Sequence, residues 1–177
     1  RQMCIRDSNR LIDHEIELAK SGKQGRIILK MNALQDPAMI ERLYEASQAG
    51  VKIDLIVRGI CCLIPGRKYS RNIRVTRIVD TFLEHARVWY FGNGGKPKLF
   101  LGSPDWMRRN LYRRIEAVTP ILDPDLKREL SDMLSIQLSD KRKACFVDDH
   151  LRNRWKSARP QKEKIRSQYT FYEYLKG

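Results

Sequence analysis

The chain has 177 residues, and its 35 Lys and Arg residues against 21 Asp and Glu residues give a formal net charge of +14. This length is sufficient for one domain with its own hydrophobic core, whereas no apolar run approaches the roughly 20 residues that span a bilayer. The excess of cations favours a polyanionic ligand, such as nucleic acid, anionic lipid, a nucleotide or inorganic phosphate chains.

The amino-terminal segment, Arg1 to Ser8, has neither a helical nor a strand period. We expect it to be a non-native or disordered leader, and we expect residues 9–177 to form one domain of a longer protein. Asn9 to Ser21 then has the apolar spacing of an amphipathic helix, which Gly22 ends.

A strand–helix–strand unit follows the first helix. Apolar strands are predicted at Arg26 to Asn32 and at Val51 to Val57, and a helix with Asp, Pro and Gly at its ends is predicted at Asp36 to Gly50. A crossover of this length predicts that the two strands are parallel neighbours. Arg58 follows at the carboxyl end of the second strand, where open α/β sheets bind their ligands.

The middle of the chain predicts a third strand and a hairpin. Ile60 to Asn72 is expected to be a loop, Ile73 to Val79 a strand and Asp80 to Glu84 a short helical turn. An antiparallel hairpin follows, because two apolar strands flank a glycine-rich turn at Gly92 to Gly95.

The hairpin carries polar side chains of the kinds that act on phosphates. Strand alternation would place His85 and Arg87 on one face. The returning strand, Lys98 to Gly102, would bring Lys98 and Ser103 beside the imidazole. An imidazole, cations, a hydroxyl and exposed amides are the groups that phosphoryl transfer needs for acid–base chemistry, charge neutralisation and anion binding.

The last third of the chain alternates strands and helices around a basic segment. We expect a strand at Arg114 to Leu122, a helix at Asp125 to Leu138, a small strand at Ala144 to Val147, a loop or mobile arm at Asp148 to Ser167 and an aromatic helix at Ser167 to Lys176. This alternation indicates an α/β fold.

The four cysteines, Cys4, Cys61, Cys62 and Cys145, have no metal-ligand spacing. With no recognisable signal peptide, they indicate a reducing compartment. We therefore expect a cytoplasmic protein, either free in the cytoplasm or bound peripherally at the inner face of the membrane. Cys61 and Cys62 follow a buried strand and are expected to be packing residues rather than nucleophiles.

The chain strongly resembles the C-terminal catalytic region of bacterial polyphosphate kinases, from about Asn9 to its end. The motifs are KMN from Lys30, GVKIDLIVRGICCLIPG from Gly50, FLEHARVWYFGNGG from Phe82 and GSPDWMRRNLYRRIEAVTPILDP from Gly102. The resemblance implies a phospholipase D-like mixed sheet flanked by helices. In that fold, two similar halves each supply one histidine to a shared site.

The matching motifs imply roles for four residues. Arg58, in VRG, corresponds to an arginine that binds the phosphates of ATP. His85, in LEH, corresponds to the second active-site histidine, which contacts the nucleotide phosphates. Arg114 and Glu116, in RIE, correspond to a charged pair along the phosphate path.

Other polar residues near these motifs have two interpretations each. Lys98 lines a phosphate channel or lies in solvent, and Ser103 is a second channel candidate. Ser103, Asp105 and Asn110 orient the site through hydrogen bonds, or Asp105 caps a turn that begins at Trp106.

The resemblance implies reversible transfer of the terminal phosphoryl group of ATP to inorganic polyphosphate through a phosphohistidine. Only the second half of the site is matched, so the phosphorylated histidine and the arginines assigned to Mg²⁺ are expected in missing domains. The fragment alone is expected to be inactive. Expected partners are ATP or ADP, polyphosphate, the missing domains and further copies in a homo-oligomer, but not nucleic acid.

Two other functions remain open at this stage. One is a phospholipase D-type phosphodiesterase or nuclease half-site, although that family has Lys where this chain has Arg87, and Gly-Ser-x-Asn where it has Gly-Ser-Pro-Asp. The other is a basic nucleic-acid-binding module, which the charge permits without a recognisable RNA-binding, zinc or recognition-helix motif.

Overall fold

The computed structural model describes residues 5–156 and 165–177. The helices in this part are α1 (Ile5–Lys20), α2 (Pro37–Gln48), α3 (Arg108–Arg113), α4 (Pro124–Ser139) and α5 (Ser167–Lys176). The strands are β1 (Arg26–Met31), β2 (Lys52–Val57), β3 (Ile73–Ile78), β4 (Arg87–Phe91), β5 (Lys98–Gly102), β6 (Val118–Ile121), β7 (Ala144–Val147) and β8 (Asn153–Trp155). Within these ranges, no helix is both long enough and apolar enough to cross a membrane.

One mixed sheet joins these strands in the order β6-β5-β4-β1-β2-β3-β7-β8. β1, β2 and β3 are parallel, and all the other neighbouring strands are antiparallel. The predicted parallel pair and the predicted hairpin of β4 and β5 are therefore confirmed, as is the α/β fold class.

Helices cover both faces of the sheet. On β1, Ile27, Leu29 and Met31 point into the larger core, which α1 and α2 cover. Ile28 points the other way, into a smaller core closed by residues of α4 and α5. Strands that are buried on both faces have nearly continuous apolar sequences rather than alternating ones, which is why β1 and β2 were recognisable.

The two longer helices that begin with an Asp-Pro pair have the predicted caps. Asp36 accepts a hydrogen bond from the backbone nitrogen of Met39 at 3.0 Å. Asp123 accepts from the backbone nitrogens of Asp125 and Leu126 at 2.8 and 2.9 Å. Each carboxylate satisfies amides that the first turn of a helix leaves without partners.

A buried glutamate of α1 fastens that helix to the sheet. Glu15 has no exposed surface, and its carboxylate accepts from the backbone nitrogens of Arg26 at 2.9 Å and Asn93 at 2.6 Å. Asn93 begins the tight turn between β4 and β5, in which Gly94 has a φ of +62°. Glu15 therefore connects α1, the first residue of β1 and the hairpin turn.

The amino-terminal expectation is wrong for residues 5–8. Helix α1 begins at Ile5, and Ser8 is buried. The helical period was missed because the first turn contributes few apolar residues. Residues 1–4 lie outside the described part, and a non-native origin of residues 1–8 stays a prediction.

Several element boundaries also differ from those predicted. Asp80 to Glu84 is not helical, because both carboxylates bind distant side chains, and β6 begins at Val118 rather than at Arg114. The short helix α3 was not predicted. Part of the expected arm at 148–167 forms β8, and residues 157–164 of that arm lie outside the described part.

The cysteine predictions are half correct. Cys61 is buried, and burial raises the pKa of its thiol to about 11, which disfavours the nucleophilic thiolate. Cys62 is exposed, so its assignment as a packing residue is wrong. β2 has ended before this point, and the neighbouring side chains of Cys61 and Cys62 face opposite ways.

We predict that Glu15→Ala destabilises the chain, because two partly buried backbone amides lose their acceptor. The expected decrease in the free energy of unfolding is about 3 kcal/mol, from roughly 1–3 kcal/mol for each unsatisfied buried donor. Urea unfolding measures it, with Glu17→Ala on the exposed face of α1 as the control. Equal stability of the two variants would contradict the role given to Glu15.

Candidate functional site

The candidate residues meet along the edge of the sheet where the parallel strands end. Asn32 follows β1 and Arg58 follows β2. β4 is antiparallel to β1 and therefore begins at this edge, with Arg87 opposite the last residue of β5. His85 lies two residues before β4, and Ser103 directly follows β5. The register of the sheet thus brings residues from four strand ends together.

A buried carboxylate, Asp105, organises this edge. One of its oxygens, Oδ1, accepts from the backbone nitrogens of Asn32 at 2.7 Å and Ala33 at 3.2 Å, and from Nε of Arg87 at 3.2 Å. The other, Oδ2, pairs with Nη2 of Arg87 at 2.9 Å. The Asp105 loop is held here by Trp106, whose backbone bonds to Ala33. Of its two predicted roles, the structure supports orientation of the site.

Arg87, which Asp105 holds in place, also contacts His85. Its Nη1 lies 2.9 Å from the backbone oxygen of His85 and 3.1 Å from Nδ1 of the imidazole. A guanidinium has five donors and no acceptor, so the contact requires Nδ1 to accept. The single proton of a neutral imidazole then lies on Nε2, which makes Nε2 a hydrogen-bond donor.

His85 and Arg87 therefore interact, but not through strand alternation as predicted. His85 lies outside β4 and its side chain is exposed. The guanidinium reaches back along the chain to hold it.

The ionised form of Asp105 is favoured despite burial. Burial alone would raise the pKa of Asp105, but the hydrogen bonds from Arg87 and from the amides of Asn32 and Ala33 outweigh it. The pKa of Asp105 consequently lies below its usual value. The pair stays charged at neutral pH, with each charge compensating the other.

Arg58 is half-buried and is held at one end only. Its Nε donates to Oδ1 of Asn32 at 3.0 Å, and the described residues provide no partner for its two terminal nitrogens. Close backbone contact supports this turn, since a Cβ at Gly59 would lie 2.9 Å from the backbone oxygen of Asn32. The arrangement leaves the fork of the guanidinium available to an anion.

Glu116 forms a second cluster beside this one. Its carboxylate accepts from Nδ2 of Asn110 at 2.6 Å and from the hydroxyl of Ser103. Burial raises the pKa of Glu116, but these hydrogen bonds and the charges of Arg114 and Arg87 together outweigh that effect. The pKa of Glu116 therefore lies below its usual value. Ser103 and Asn110 are thus oriented by Glu116.

Two geometric expectations are wrong. Arg114 and Glu116 precede β6 rather than lying on one face of a strand, and the side chain of Arg114 is exposed. Lys98 pairs with Phe91 at the far end of the hairpin, not beside the imidazole. It lines a separate, mostly apolar cavity of about 400 Å³ between α1 and the edge strands. Its role in a phosphate channel remains a prediction.

The sequence analysis missed the second layer of contacts behind His85. Lys30, which is buried on β1, pairs with Glu84 at 2.5 Å. The sequence did indicate that such contacts exist. A lysine inside an apolar strand is expected to be buried and paired, and a glutamate next to a candidate histidine is also expected to have a partner. Which lysine meets which glutamate depends on strand register, which the sequence did not specify.

The described residues do not fit a metal site. No group of three or more His, Cys, Asp or Glu side chains within residues 5–156 and 165–177 converges to hold an ion. That the Mg²⁺ ligands lie in missing domains stays a prediction, and no chemistry is assigned to a metal here.

Comparisons with known proteins identify similar sequences and structures. Residues 2–168 match the family model described as polyphosphate kinase C-terminal domain 2. A polyphosphate kinase from Thermosynechococcus vestitus is 56% identical over 135 residues, which is 76% of this chain and 18% of that protein. The crystal structure of polyphosphate kinase from Porphyromonas gingivalis superposes with a TM-score of 0.93 at 55% identity, covering 98% of this chain and 27% of that one.

A more distant similarity concerns the fold alone. The phospholipase D family member Nuc from Salmonella typhimurium superposes with a TM-score of 0.51 at 16% identity, over 70% of this chain and 84% of that one. The predicted phospholipase D-like architecture is confirmed. This chain thus spans most of a phospholipase D-like unit but about a quarter of the crystallised polyphosphate kinase.

We predict that Asp105→Asn destabilises the chain by about 2–3 kcal/mol at neutral pH, because Arg87 loses its charged partner. The folded pKa of Asp105 is lowered, so its stabilisation is complete above the unfolded pKa of about 3.9 and is lost as the pH falls through the folded value. The difference in free energy of unfolding between the parent protein and Asp105→Asn should be constant from about pH 5 to 8 and become smaller at lower pH.

Chemical unfolding at several pH values tests this, with Glu41→Gln on the exposed surface of α2 as the control. A difference that widens as the pH falls would contradict the assigned ionisation of Asp105.

Proposed function

Because the chain belongs to the polyphosphate kinase family, matching C-terminal domain 2 over residues 2–168, we propose that it supplies half of a phosphoryl-transfer site. In this proposal, the complete protein transfers the terminal phosphoryl group of ATP reversibly to inorganic polyphosphate. The observation that carries the proposal is the connected set Asp105–Arg87–His85, in which Arg87 holds an exposed imidazole at Nδ1 and at the backbone oxygen of His85.

The proposed reaction has two displacements. A histidine nitrogen from the other half attacks the γ-phosphorus of ATP, and the P–N bond forms as the bond to the β–γ bridging oxygen breaks. ADP leaves with that electron pair. A terminal oxygen of polyphosphate then attacks the phosphorus, so that a new P–O bond forms as the P–N bond breaks.

His85 is proposed to act on the oxygen that leaves or attacks. With Nδ1 engaged by Arg87, the imidazole presents an N–H at Nε2. This N–H donates to an oxygen that gains charge in the transition state, and it is a less suitable nucleophile because no lone pair is free there. The geometry therefore favours the supporting role for His85 and leaves the phosphorylated histidine to the other half.

Arg58 is proposed to bind the nucleotide phosphates. Its terminal nitrogens form the fork that matches two phosphate oxygens, and Asn32 fixes the Nε end. Arg114 adds an exposed positive charge near Glu116, and Glu116 in turn orients Ser103 and Asn110. A negative carboxylate beside a phosphate path is tolerable where hydrogen bonds compensate it, as they do here.

We predict that phosphohistidine formation requires both halves of the site. The chain is incubated with ATP labelled in its terminal phosphate, with and without a separately expressed first catalytic half. Acid-labile, base-stable label should appear only in the mixture and only on the other half. Labelling of this chain alone would show that His85 is a nucleophile and would contradict the roles given above.

We further predict that His85→Ala in the full-length protein lowers polyphosphate synthesis by about 100-fold or more, the usual contribution of a positioned proton donor. His150→Ala, which removes an exposed histidine outside the site, is the matched control and should retain its rate. Phosphorus-31 NMR follows the phosphate chain in both directions, and a parallel incubation with DNA tests phosphodiesterase activity. Ordinary synthesis by His85→Ala would make His85 structural.

A further inference from the structure

The segment that carries His85 has little apolar packing, apart from a contact between the rings of Phe82 and Tyr169 of α5, whose centroids lie 6.0 Å apart. Residues 79–86 form no regular element, and Val79, Phe82 and Leu83 are 65%, 58% and 75% exposed. A segment of this kind would be among the least ordered parts of a domain unless polar contacts fixed it. Two carboxylates provide those contacts.

The first carboxylate is Asp80, whose side chain is 1% exposed. Arg166, the residue before α5, grips it with Nε at 2.8 Å and Nη2 at 2.6 Å. Arg166 also donates to the hydroxyl of Thr81 at 2.8 Å and lies over the ring of Tyr169, 4.2 Å from its centroid. The hydrogen bond and charge of Arg166 lower the pKa of Asp80, so the pair remains ionised at neutral pH.

The second carboxylate is Glu84, the neighbour of His85. Three different elements donate to it: Lys30 of β1 at 2.5 Å, Gln137 of α4, and Gln168 of α5 at 3.0 Å. Gln168 makes a further two-way contact with the backbone of Phe82. Its amide oxygen accepts from the nitrogen of Phe82 at 2.8 Å, and its amide nitrogen donates to the oxygen of Phe82 at 2.7 Å.

α5 is itself attached firmly enough to serve as an anchor. Asp140, at the end of α4, has no exposed surface and accepts from the backbone nitrogen of Ser167 at 2.7 Å. Phe171 packs against the smaller core. Farther along the helix, the hydroxyl of Tyr174 donates to Asp132 at 2.8 Å. The start, middle and end of α5 are thus each bound to α4 or the core.

We propose that α5 positions His85, and that Gln168 is the positioning residue through which it does so. Arg87 holds the imidazole from the sheet side, whereas Gln168 and Glu84 hold the preceding backbone from the helix side. Neither Gln168 nor Arg166 contacts His85, so both act through the segment 80–84. This inference rests on the proposed function, because it assigns a role to the position of His85 in that reaction.

The test uses the full-length protein with Gln168→Ala, and Gln48→Ala on α2 as the matched control. Gln48 bonds only within its own helix among the described residues. The loss of its hydrogen bonds with the backbone of Phe82 and with Glu84 should displace the segment. We expect kcat to fall by about tenfold or more, since misplacement by 1 Å can cost roughly 100-fold. The KM for ATP should change less than twofold, because Arg58 is untouched.

A double-mutant comparison separates positioning from general loss of structure. Gln168→Ala should have almost no further effect on kcat in a His85→Ala background, because both changes remove the same contribution. A full tenfold loss in that background would overturn the proposal. So would an unchanged kcat for Gln168→Ala in the parent protein.

If Gln168→Ala does not fold, Arg166→Lys provides the second variant. It keeps the charge but loses the two-pronged grip on Asp80, and the same pair of kcat measurements applies. Failure of the proposed function has a different signature. In that case, His85→Ala itself would leave polyphosphate synthesis unchanged. If instead His85→Ala were defective while Gln168→Ala and Arg166→Lys had normal kcat values, only the positioning role would be excluded.

Discussion

The candidate site depends on one buried ion pair, between Asp105 and Arg87. Asp105 lies on a loop after β5, yet it bonds to the amides at the end of β1, so it joins two segments that neighbour each other only in the folded sheet. Arg87 is long enough to contact Asp105 and His85 at once. If either charge were removed, the other would remain largely buried without its charged partner, which costs more than an exposed pair contributes.

The pair also explains why a charged residue stands at the first position of a central strand. The positions that follow Arg87 on β4 are apolar and fill the two cores. The change from polar to apolar occurs where the sheet edge meets solvent, which is also where the strand ends converge. Apolar packing and polar contacts are therefore separated along the strand: its interior stabilises the fold, and Arg87 at its start contacts Asp105 and His85 of the candidate site.

The sequence predicted the elements well and the contacts between them poorly. Asp36 and Asp123 each precede a Pro and begin a helix, which is a local signal, and the apolar runs of β1 and β2 are equally local. By contrast, Lys98 was placed beside His85 because the hairpin register was unknown, but it lies at the opposite end of β5 from Gly102, the partner of Arg87. The partners of Glu84 lie 53, 54 and 84 residues away along the chain. The periodicity of apolar residues does not predict contacts between residues so far apart in sequence.

Those long separations bear on how the protein is made. During synthesis, Arg58, His85 and Asp105 leave the ribosome before the residues that fasten the segment around Asp80, because Arg166 follows Asp80 by 86 residues. Contacts that close so large a loop form late. Until α5 has been synthesised, the contacts of Arg166 and Gln168 with the histidine segment cannot form, although β1, β2 and β4 are already present in the chain. A chain truncated before α5 would keep the strand ends around Arg58 and Asp105 but would lack the helix whose Gln168 fastens the histidine segment.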